Sequence, residues 1–459
     1  MGKTGTRAGV NGNITTNGAG GTQSLQDGKT GSSTKGFGVF AYNTGAGTWS
    51  SAGGSTIPNF MWNQQVYYNT VWTYEPIKYW PNGEDTKNGG TGDPSNTATE
   101  GGIQYLSFFA YAPYVAPTTA GTFSSGETSG ITQLSANNAT GAPIVTYAFA
   151  SNDWSVANNV DLLWGTNGKN GTGYHETDGD DDAAKSQDYN TDLTKQIVTN
   201  SGARETVDFL FKHALTKVGG KNGLKIVADI DGNSTTPTTT GFGTLDATTI
   251  ITVKSIEIGN VANAVVTGGT FNLATGVWTA SLNGSIAERA INADVANSEL
   301  NTAIQEPATL SASTAPAWNT STSKWCTNNG SGVASGTAFS GVPTGTPADV
   351  YASAKDAFYL IPSSTDDQQL KISINYVVRT YDANLAIPTN ECSPCSKVEQ
   401  TITNTITLAH NFLASNKYFT LVLHLGLTSV KFSATVSDWD TTGYVTKEVW
   451  LPSNVVVTP

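Results

Sequence analysis

The stretch Val207–Val218 constrains the fold more than any other part of this sequence. Its apolar residues Val207, Phe209 and Phe211 alternate with the charged residues Asp208 and Lys212, which is the two-residue period of a β-strand. No glycine or proline interrupts it. A tract rich in Gly, Asn and Asp precedes this stretch, and shorter, more regular strand patterns follow it. We therefore interpret it as the seam between two β-domains.

The length of the chain favours two domains. Its 459 residues exceed one ordinary domain and suit two, so the sequence predicts an N-terminal domain at residues 1–203 and a C-terminal domain at 204–459. Strand patterns separated by polar turns, with almost no helical pattern between them, favour an all-β fold of two antiparallel β-sandwich domains. The residues expected in the two cores are Phe40, Phe108 and Trp164 in the first and Ile374, Leu423 and Phe432 in the second.

Two local patterns add detail to this prediction. The stretch Ala287–Leu300 is the one helix-like segment. Between Val253 and Ile256 the apolar residues change phase, as they do where an extra residue forms a β-bulge.

The composition is typical of an exported β-rich protein. Charged residues make up 13% of the chain, against a usual share of roughly 25%, and turn-forming residues such as the 49 glycines are abundant. The net charge is −12 and Lys and Arg do not cluster, which argues against nucleic acid as a partner. The sequence contains no run of about 18 apolar residues, so it does not predict a membrane-spanning helix.

The sequence offers little for catalysis. Its four histidines are His175, His213, His410 and His424, and two of them lie inside strand patterns, where a structural role is favoured. Neither the G-x-S-x-G nor the H-E-x-x-H pattern occurs. We therefore predict that the protein is not an enzyme, has no cofactor, and has no pocket that gathers a histidine, a nucleophile and a carboxylate.

One acidic run is a candidate cation site. The carboxylates of Asp178, Asp180 and Asp182 lie close together in sequence, and several carboxylate oxygens in a flexible loop suit Ca²⁺. Their spacing differs from that of an EF-hand, so a solvated loop without metal is the favoured interpretation.

The cysteines allow one local crosslink. Cys392 and Cys395 have the C-x-x-C spacing, and Cys326 is the only other cysteine. A zinc site would need two more ligands than this pair supplies. An oxidised pair that closes the loop is the expected state in an exported protein, and Cys326 would then be a free thiol.

Several segments together resemble a known family. In chain order they are Phe37–Tyr42, Tyr79–Pro81, Phe108–Pro113, Asp161–Trp164, Phe211–Leu215, Ile256–Val261, Gly276–Trp278 and Val436–Trp439. In this order the segments resemble the fimbrillin family, the pilus subunits of Gram-negative anaerobes. The resemblance covers most of the chain.

The fimbrillin resemblance has several implications. It implies transthyretin-like topology in both sandwiches, export as a lipoprotein to the outer membrane, and trimming after an arginine near the N-terminus, for which Arg7–Ala8 is suitably placed. It also implies polymerisation by strand exchange on the cell surface. The expected partners are other copies of the chain, the anchor and tip subunits of the pilus, and host glycans or proteins.

The tail Tyr444–Pro459 is the candidate donor strand. Val449 and Leu451 project to one side of a strand pattern, and Val455 and Val457 belong to a β-branched run after Pro452. An ordinary closing strand of the C-terminal domain is the open alternative for Tyr444–Leu451.

Two functions remain open at this point. The first is a structural pilin, whose C-terminal strand must be able to leave its own domain. The second is a glycan-binding surface lipoprotein or pilus-tip adhesin on the same scaffold, for which the strand need not leave.

Overall fold

The computed structural model describes most of the chain. For some strand residues, among them 430–438 and 448–451, it describes the backbone alone. The described residues are 13–14, 23–24, 36–45, 49–69, 71–78, 105–117, 130–150, 153–156, 158–167, 193–194, 209–220, 223–228, 245–286, 289–292, 299–307, 310–311, 313–329, 331, 333–352, 357–410, 412–425, 430–438 and 448–451.

These residues form an all-β protein, as predicted. Within the described ranges, one short α-helix, α1 (Trp49–Ala52), with a 3₁₀ turn at Gly53–Ser55, interrupts the strands. In chain order the strands are β1 (Asn13–Ile14), β2 (Gln23–Ser24), β3 (Phe37–Gly45), β4 (Met61–Asn69), β5 (Val71–Tyr74), β6 (Tyr105–Ala112), β7 (Ile131–Leu134), β8 (Ile144–Ala148), β9 (Leu163–Asn167), β10 (Leu193–Thr194), β11 (Phe209–His213), β12 (Thr216–Val218), β13 (Leu224–Ala228), β14 (Thr249–Asn260), β15 (Gly268–Asn272), β16 (Val277–Thr279), β17 (Arg289–Asn292), β18 (Ala317–Asn319), β19 (Lys324–Asn328), β20 (Ala334–Ala338), β21 (Ala348–Asp349), β22 (Phe358–Leu360), β23 (Gln368–Tyr381), β24 (Cys395–Leu408), β25 (Lys417–Leu425), β26 (Val430–Asp438) and β27 (Glu448–Leu451).

The first large sheet has the order β11-β9-β6-β3-β4-β5, with β10 paired to β6. Its central strands bury both faces, because apolar residues occupy successive rather than alternate positions. Phe40 and Phe109 lie on one face, in the main core, while Val39 and Phe108 lie on the other, in a second cluster with Phe37 and Phe211.

A second sheet, with the order β16-β15-β8-β7, covers the main-core face of the first. Two indole groups of the first sheet donate hydrogen bonds to it. Trp62 Nε1 donates to the carbonyl of Ser135 at 2.8 Å, and Trp164 Nε1 donates to the carbonyl of Leu273 at 2.9 Å. Strands β7 and β8 precede residue 203 and strands β15 and β16 follow it, so both predicted domains contribute to this shared sheet.

Two further sheets come from the second half of the chain. One of them has β25 at its centre. Strands β12 and β13 pair with one edge of β25 and run parallel to it. Strand β26 pairs antiparallel with the other edge of β25, and β27 pairs antiparallel with β26. The other has the order β17-β14-β23-β24, and its register shifts between Val253 and Ser255, which confirms the predicted bulge. A small third sheet has the order β18-β19-β20.

The prediction of a helix at Ala287–Leu300 is wrong. Strand β17 lies within this stretch and pairs with β14, with Ile291 opposite Ile256. Leu300 is fully buried and bridges Tyr351. The edge of β14 was available for pairing, and that tertiary context outweighed a weak local helix preference.

From Phe209 to Val218, the seam passes from one sheet to another. Strand β11 pairs with β9 in the first sheet, and β12 pairs with β22 and β25 in the sheet around β25. The linking residues Ala214 and Leu215 are fully buried. Trp278 Nε1 donates to the carbonyl of Ala214 at 2.7 Å, so the crossing point is held by the β15–β16 hairpin.

Five of the six expected core residues are described and buried, but they do not divide into two separate cores. Phe40, Trp164, Ile374 and Leu423 belong to one contiguous cluster, whereas Phe108 lies in the second cluster on the far face of the first sheet. The side chain of Phe432 lies outside the described part of the chain. The boundary between residues 203 and 204 and the transthyretin-like topology stay predictions.

Candidate functional site

Glu448–Leu451 is the part of the candidate donor segment that the structure describes, and it lies beside β26 in the sheet around β25. Among the described residues, β27 pairs only with β26, with Val449 opposite Ala434 and Leu451 opposite Phe432. Glu448–Leu451 therefore occupies a closing position in the sheet of its own chain, as the alternative interpretation expects. Val455 and Val457 lie outside the described residues, and donation stays a prediction.

Edge strands of this kind leave one row of backbone N–H and C=O groups unpaired. The β26–β27 ladder spans four residue pairs, which is short for a sheet strand. A short ladder at an edge is the part of a sheet that separates at the lowest free-energy cost. Among the described residues, β27 is therefore held to its sheet by this one short ladder.

The processing and calcium candidates cannot be placed. Arg7 and Ala8 lie outside the described residues, as do Asp178, Asp180 and Asp182. In the described part of the chain no group of three or more His, Cys, Asp or Glu is arranged to hold a metal ion, and no helix there is long and apolar enough to cross a membrane.

The described histidines make structural contacts. His213 Nδ1 lies 2.7 Å from Asp161 Oδ2, and its backbone N–H donates to Asn416 Oδ1 at 3.3 Å, so it joins the first sheet to the loop before β25. His410 contacts Asp367 through both its ring and its backbone N–H. Hydrogen bonds from the backbone and the ring of His410 lower the pKa of Asp367. His424 is buried in β25.

The cysteines are free thiols in this structure. Asn328 Nδ2 donates to Cys392 Sγ, which also lies 3.2 Å from the carbonyl of Ala315. Burial raises the pKa of Cys392, and burial followed by the charge of Glu391 raises the pKa of Cys395 to about 11. The Cys392–Cys395 disulfide stays a prediction about the oxidised protein.

The most unusual charged cluster was missed by the sequence analysis. Arg379 has no exposed surface, and its guanidinium donates to the carboxylates of Glu306 and Glu391, with Nε 2.9 Å from Glu391 Oε2. Thr252 donates to Glu306, and Lys397 Nζ lies 2.6 Å from Glu391 Oε1. Burial alone would lower the pKa of Arg379, but the bonds and charges of both glutamates outweigh burial and raise it.

This cluster has a structural consequence. Two cations, buried Arg379 and partly exposed Lys397, face two buried carboxylates, so the charges of the cluster balance. A buried carboxylate without its partner would carry a large desolvation cost. Glu306 lies between β17 and β18, and Glu391 lies in the loop between β23 and β24. The cluster therefore fastens two connecting segments to the middle of a sheet. Its sequence signal is weak: Arg379 lies two residues after buried Val377, on the face opposite Ile374 and Tyr376.

Comparison with known proteins connects this architecture to fimbriae. No protein-family model matches the chain. The fimbrium subunit Fim1C of Phocaeicola vulgatus is 30% identical to it over 198 residues, which are 43% of this chain and 38% of Fim1C. The match thus spans about two fifths of the length of that curated relative.

A solved structure resembles the whole architecture. It is a fimbrial protein from Bacteroides vulgatus, with a TM-score of 0.52 and 22% sequence identity, and the alignment covers 88% of this chain and 93% of that protein. At this identity the likeness establishes the fold. The predicted resemblance is thus confirmed as a similarity: 198 residues of the chain are similar in sequence to a fimbrium subunit, and most of the chain is similar in fold to a solved fimbrial protein.

Proposed function

We propose that this protein is a non-enzymatic structural subunit of a cell-surface fimbria and supports adhesion. The observation that carries the proposal is the sequence match to Fim1C, which is a fimbrium subunit. The all-β architecture supports it, because sheets with open edges can accept a strand from a neighbouring molecule.

The proposed assembly uses strand exchange. Trimming after Arg7 would remove the start of the chain, and the tail Tyr444–Pro459, which includes β27, would pair with a neighbouring subunit. Main-chain hydrogen bonds would supply affinity, and the alternating side chains of Val449, Leu451, Val455 and Val457 would set the register. The partners are other copies of this chain and the anchor and tip subunits of the same fibre, on the outer membrane.

Deletion of residues 452–459 tests this proposal. The full chain, trimmed with trypsin, is expected to form fibres visible by electron microscopy, whereas the trimmed deletion variant should stay a folded monomer because the donor has been removed. An Arg7→Ala variant controls for trimming and should assemble more slowly. Fibres of normal length from the deletion variant would exclude the tail as the donor.

A wild-type chain that never polymerises would contradict the stalk role. If that chain binds glycans, the tip-adhesin alternative would account for both results.

A further inference from the structure

Strand β24 runs along one edge of the sheet β17-β14-β23-β24. Among the described residues it pairs only with β23, through an uninterrupted register of 14 residue pairs. Because a strand carries hydrogen-bonding groups on both sides, the other side of β24 presents a regular row of backbone N–H and C=O groups. The side chains of Thr401, Thr403 and Thr405 beside this row are exposed.

Natural edge strands usually carry features that prevent pairing with another chain, such as short length, a bulge, a proline or a charged side chain. The start of β24 has such features in Lys397 and Glu399, which form ion pairs within their own chain. From residue 400 to residue 408 the strand contains no charged residue, no proline and no glycine, and six of these nine residues are β-branched. This half of β24 is therefore a strongly strand-forming edge without the usual protection.

The sequence of this edge reads the same in both directions. Residues 401–407 are Thr-Ile-Thr-Asn-Thr-Ile-Thr, a palindrome centred on Asn404. If two copies paired antiparallel around a two-fold axis through Asn404, every threonine would lie opposite a threonine and every isoleucine opposite an isoleucine. Threonine pairs of this kind stabilise antiparallel sheets. The same register places Glu399 opposite Ala409 of the other copy, so no like charges face each other.

The palindrome also keeps the two faces of the sheet in phase. Within the chain, Ile402 lies opposite Ile374 and Ile406 lies opposite Leu370, and all four side chains pack in or against the main core. Since directly opposite residues in a ladder share a face, the isoleucines of a second copy would extend this apolar face and its threonines would extend the solvent face. An unrelated strand would have to match both the spacing and the phase, whereas a second copy does so by its own sequence.

We propose that two copies of this chain associate through β24, antiparallel and about a two-fold axis at Asn404, so that their sheets become continuous. The occupant of this edge is thus the same edge of a second copy, as in other closed two-fold interfaces. The contact needs neither trimming after Arg7 nor the tail Tyr444–Pro459, and it is therefore separate from the strand exchange proposed above.

Cysteine crosslinking tests the register. Thr401 of one copy would lie opposite Thr407 of the other, at a Cα separation of about 4.5–5.5 Å, and a disulfide spans roughly 4.4–6.8 Å. A mixture of Thr401→Cys and Thr407→Cys chains, left untrimmed and oxidised, should therefore give a disulfide-linked dimer on a non-reducing gel. Either variant alone should not, because its two introduced cysteines would lie about six residues apart along the ladder, or about 20 Å. The wild-type chain, treated alike, measures the background from Cys326, Cys392 and Cys395.

Charge substitution at the same two positions provides a matched pair of variants. Thr401→Lys/Thr407→Lys puts lysine opposite lysine twice in the dimer, which opposes pairing. The dimer dissociation constant from sedimentation equilibrium should rise about ten-fold or more, which corresponds to about 1.4 kcal/mol. Thr401→Lys/Thr407→Glu puts lysine opposite glutamate instead and should dimerise at least as tightly as the wild type. Melting temperatures close to that of the wild type show that both variants fold.

The results decide the inference in either direction. A wild-type chain that stays monomeric would overturn it, as would equal dimerisation of the two charge variants or equal crosslinking in the mixture and in each cysteine variant alone. Fibre formation by the trimmed chain is a separate readout. Dimers without fibres would reject only the proposed function, and fibres without dimers would reject only the β24 contact.

Discussion

Tyr42 and Tyr111 lie on neighbouring strands and are both fully buried, but they differ in their hydrogen bonds. The hydroxyl of Tyr111 donates to Asn63 Oδ1 at 2.7 Å and accepts from the backbone N–H of Val115 at 3.3 Å. The hydroxyl of Tyr42 finds no partner among the described residues. A buried hydroxyl contributes stability only when its hydrogen bonds are made, so the two residues should respond differently to loss of the oxygen.

Removal of each hydroxyl tests this difference. Tyr111→Phe leaves Asn63 and Val115 without that partner and should lower the free energy of unfolding by about 1–3 kcal/mol. Tyr42→Phe removes an unpaired group and should change it by less than about 0.5 kcal/mol, or raise it. Urea denaturation at pH 7 measures both. Equal losses would show that Tyr42 has a partner that the described residues do not include.

The same residues predict how stability depends on pH. Burial raises the pKa of Tyr42 and of Tyr111 above the ordinary value of 10.0. The unfolded tyrosines ionise near pH 10 while the folded ones stay neutral, so this stability is present below pH 10 and is lost as the pH rises beyond it. The melting temperature should therefore fall above about pH 10, and it should fall less steeply in Tyr42→Phe.

The hairpin of β15 and β16 depends on one turn residue. Gly276 has φ = 68°, and a Cβ atom at this position would collide with the ring of Trp164. Both the backbone conformation and the close approach therefore require glycine here. Gly336 in β20 is a suitable contrast, because a Cβ there would meet nothing within 4 Å.

Substitution of alanine for each of the two glycines should affect the free energy of unfolding differently. Gly276→Ala should lower the free energy of unfolding by about 1–3 kcal/mol through strain and displacement of Trp164, whereas Gly336→Ala should cause no loss. Chemical denaturation of both variants, followed by tryptophan fluorescence, provides the measurement. A loss at Gly336 as large as that at Gly276 would contradict the packing described for Trp164.

The elements show what local pattern can and cannot predict. The phase change at Val253 predicts the bulge because the signal lies entirely within consecutive residues of one strand, β14. The helix prediction at Ala287–Leu300 fails because strand β17 forms by pairing with β14, and local helix preference takes no account of such a distant partner. The charged cluster around Arg379 could not be predicted from the sequence, because the partners of Arg379, Glu306 and Glu391, lie in connecting segments. The pairing of Glu448–Leu451 with β26 also joins residues that no local pattern relates.

Across the whole molecule, the two halves are interlocked rather than simply joined. The shared sheet pairs β8 with β15, placing Phe271 opposite Val145. The residues of the bond between Trp164 and Leu273 are 109 positions apart. The sequence pattern predicts these strands one by one, but it does not show which distant strand completes a sheet, and for this reason the shared core was not foreseen.

A fragment experiment tests this interlocking. Residues 1–203 alone lack β15 and β16, so β8 loses a neighbour and Trp164 loses its cover. We expect this fragment to show no cooperative thermal transition by circular dichroism and to bind a hydrophobic dye. The fragment 1–286 retains the hairpin and should show less dye binding. Cooperative unfolding of 1–203 near the melting temperature of the full chain would mean that the first half folds independently.

The parallel pairing around β25 has a mechanical consequence. Strands β12, β25 and β27 run in the same direction, so β12 begins at one end of this sheet and β27 ends at the opposite end. Tension along a fibre would pull these two ends apart lengthwise. The ladders between the strands would then be loaded in shear, with many hydrogen bonds sharing the force at once. A sheet pulled in this direction would therefore not lose its inter-strand hydrogen bonds one after another.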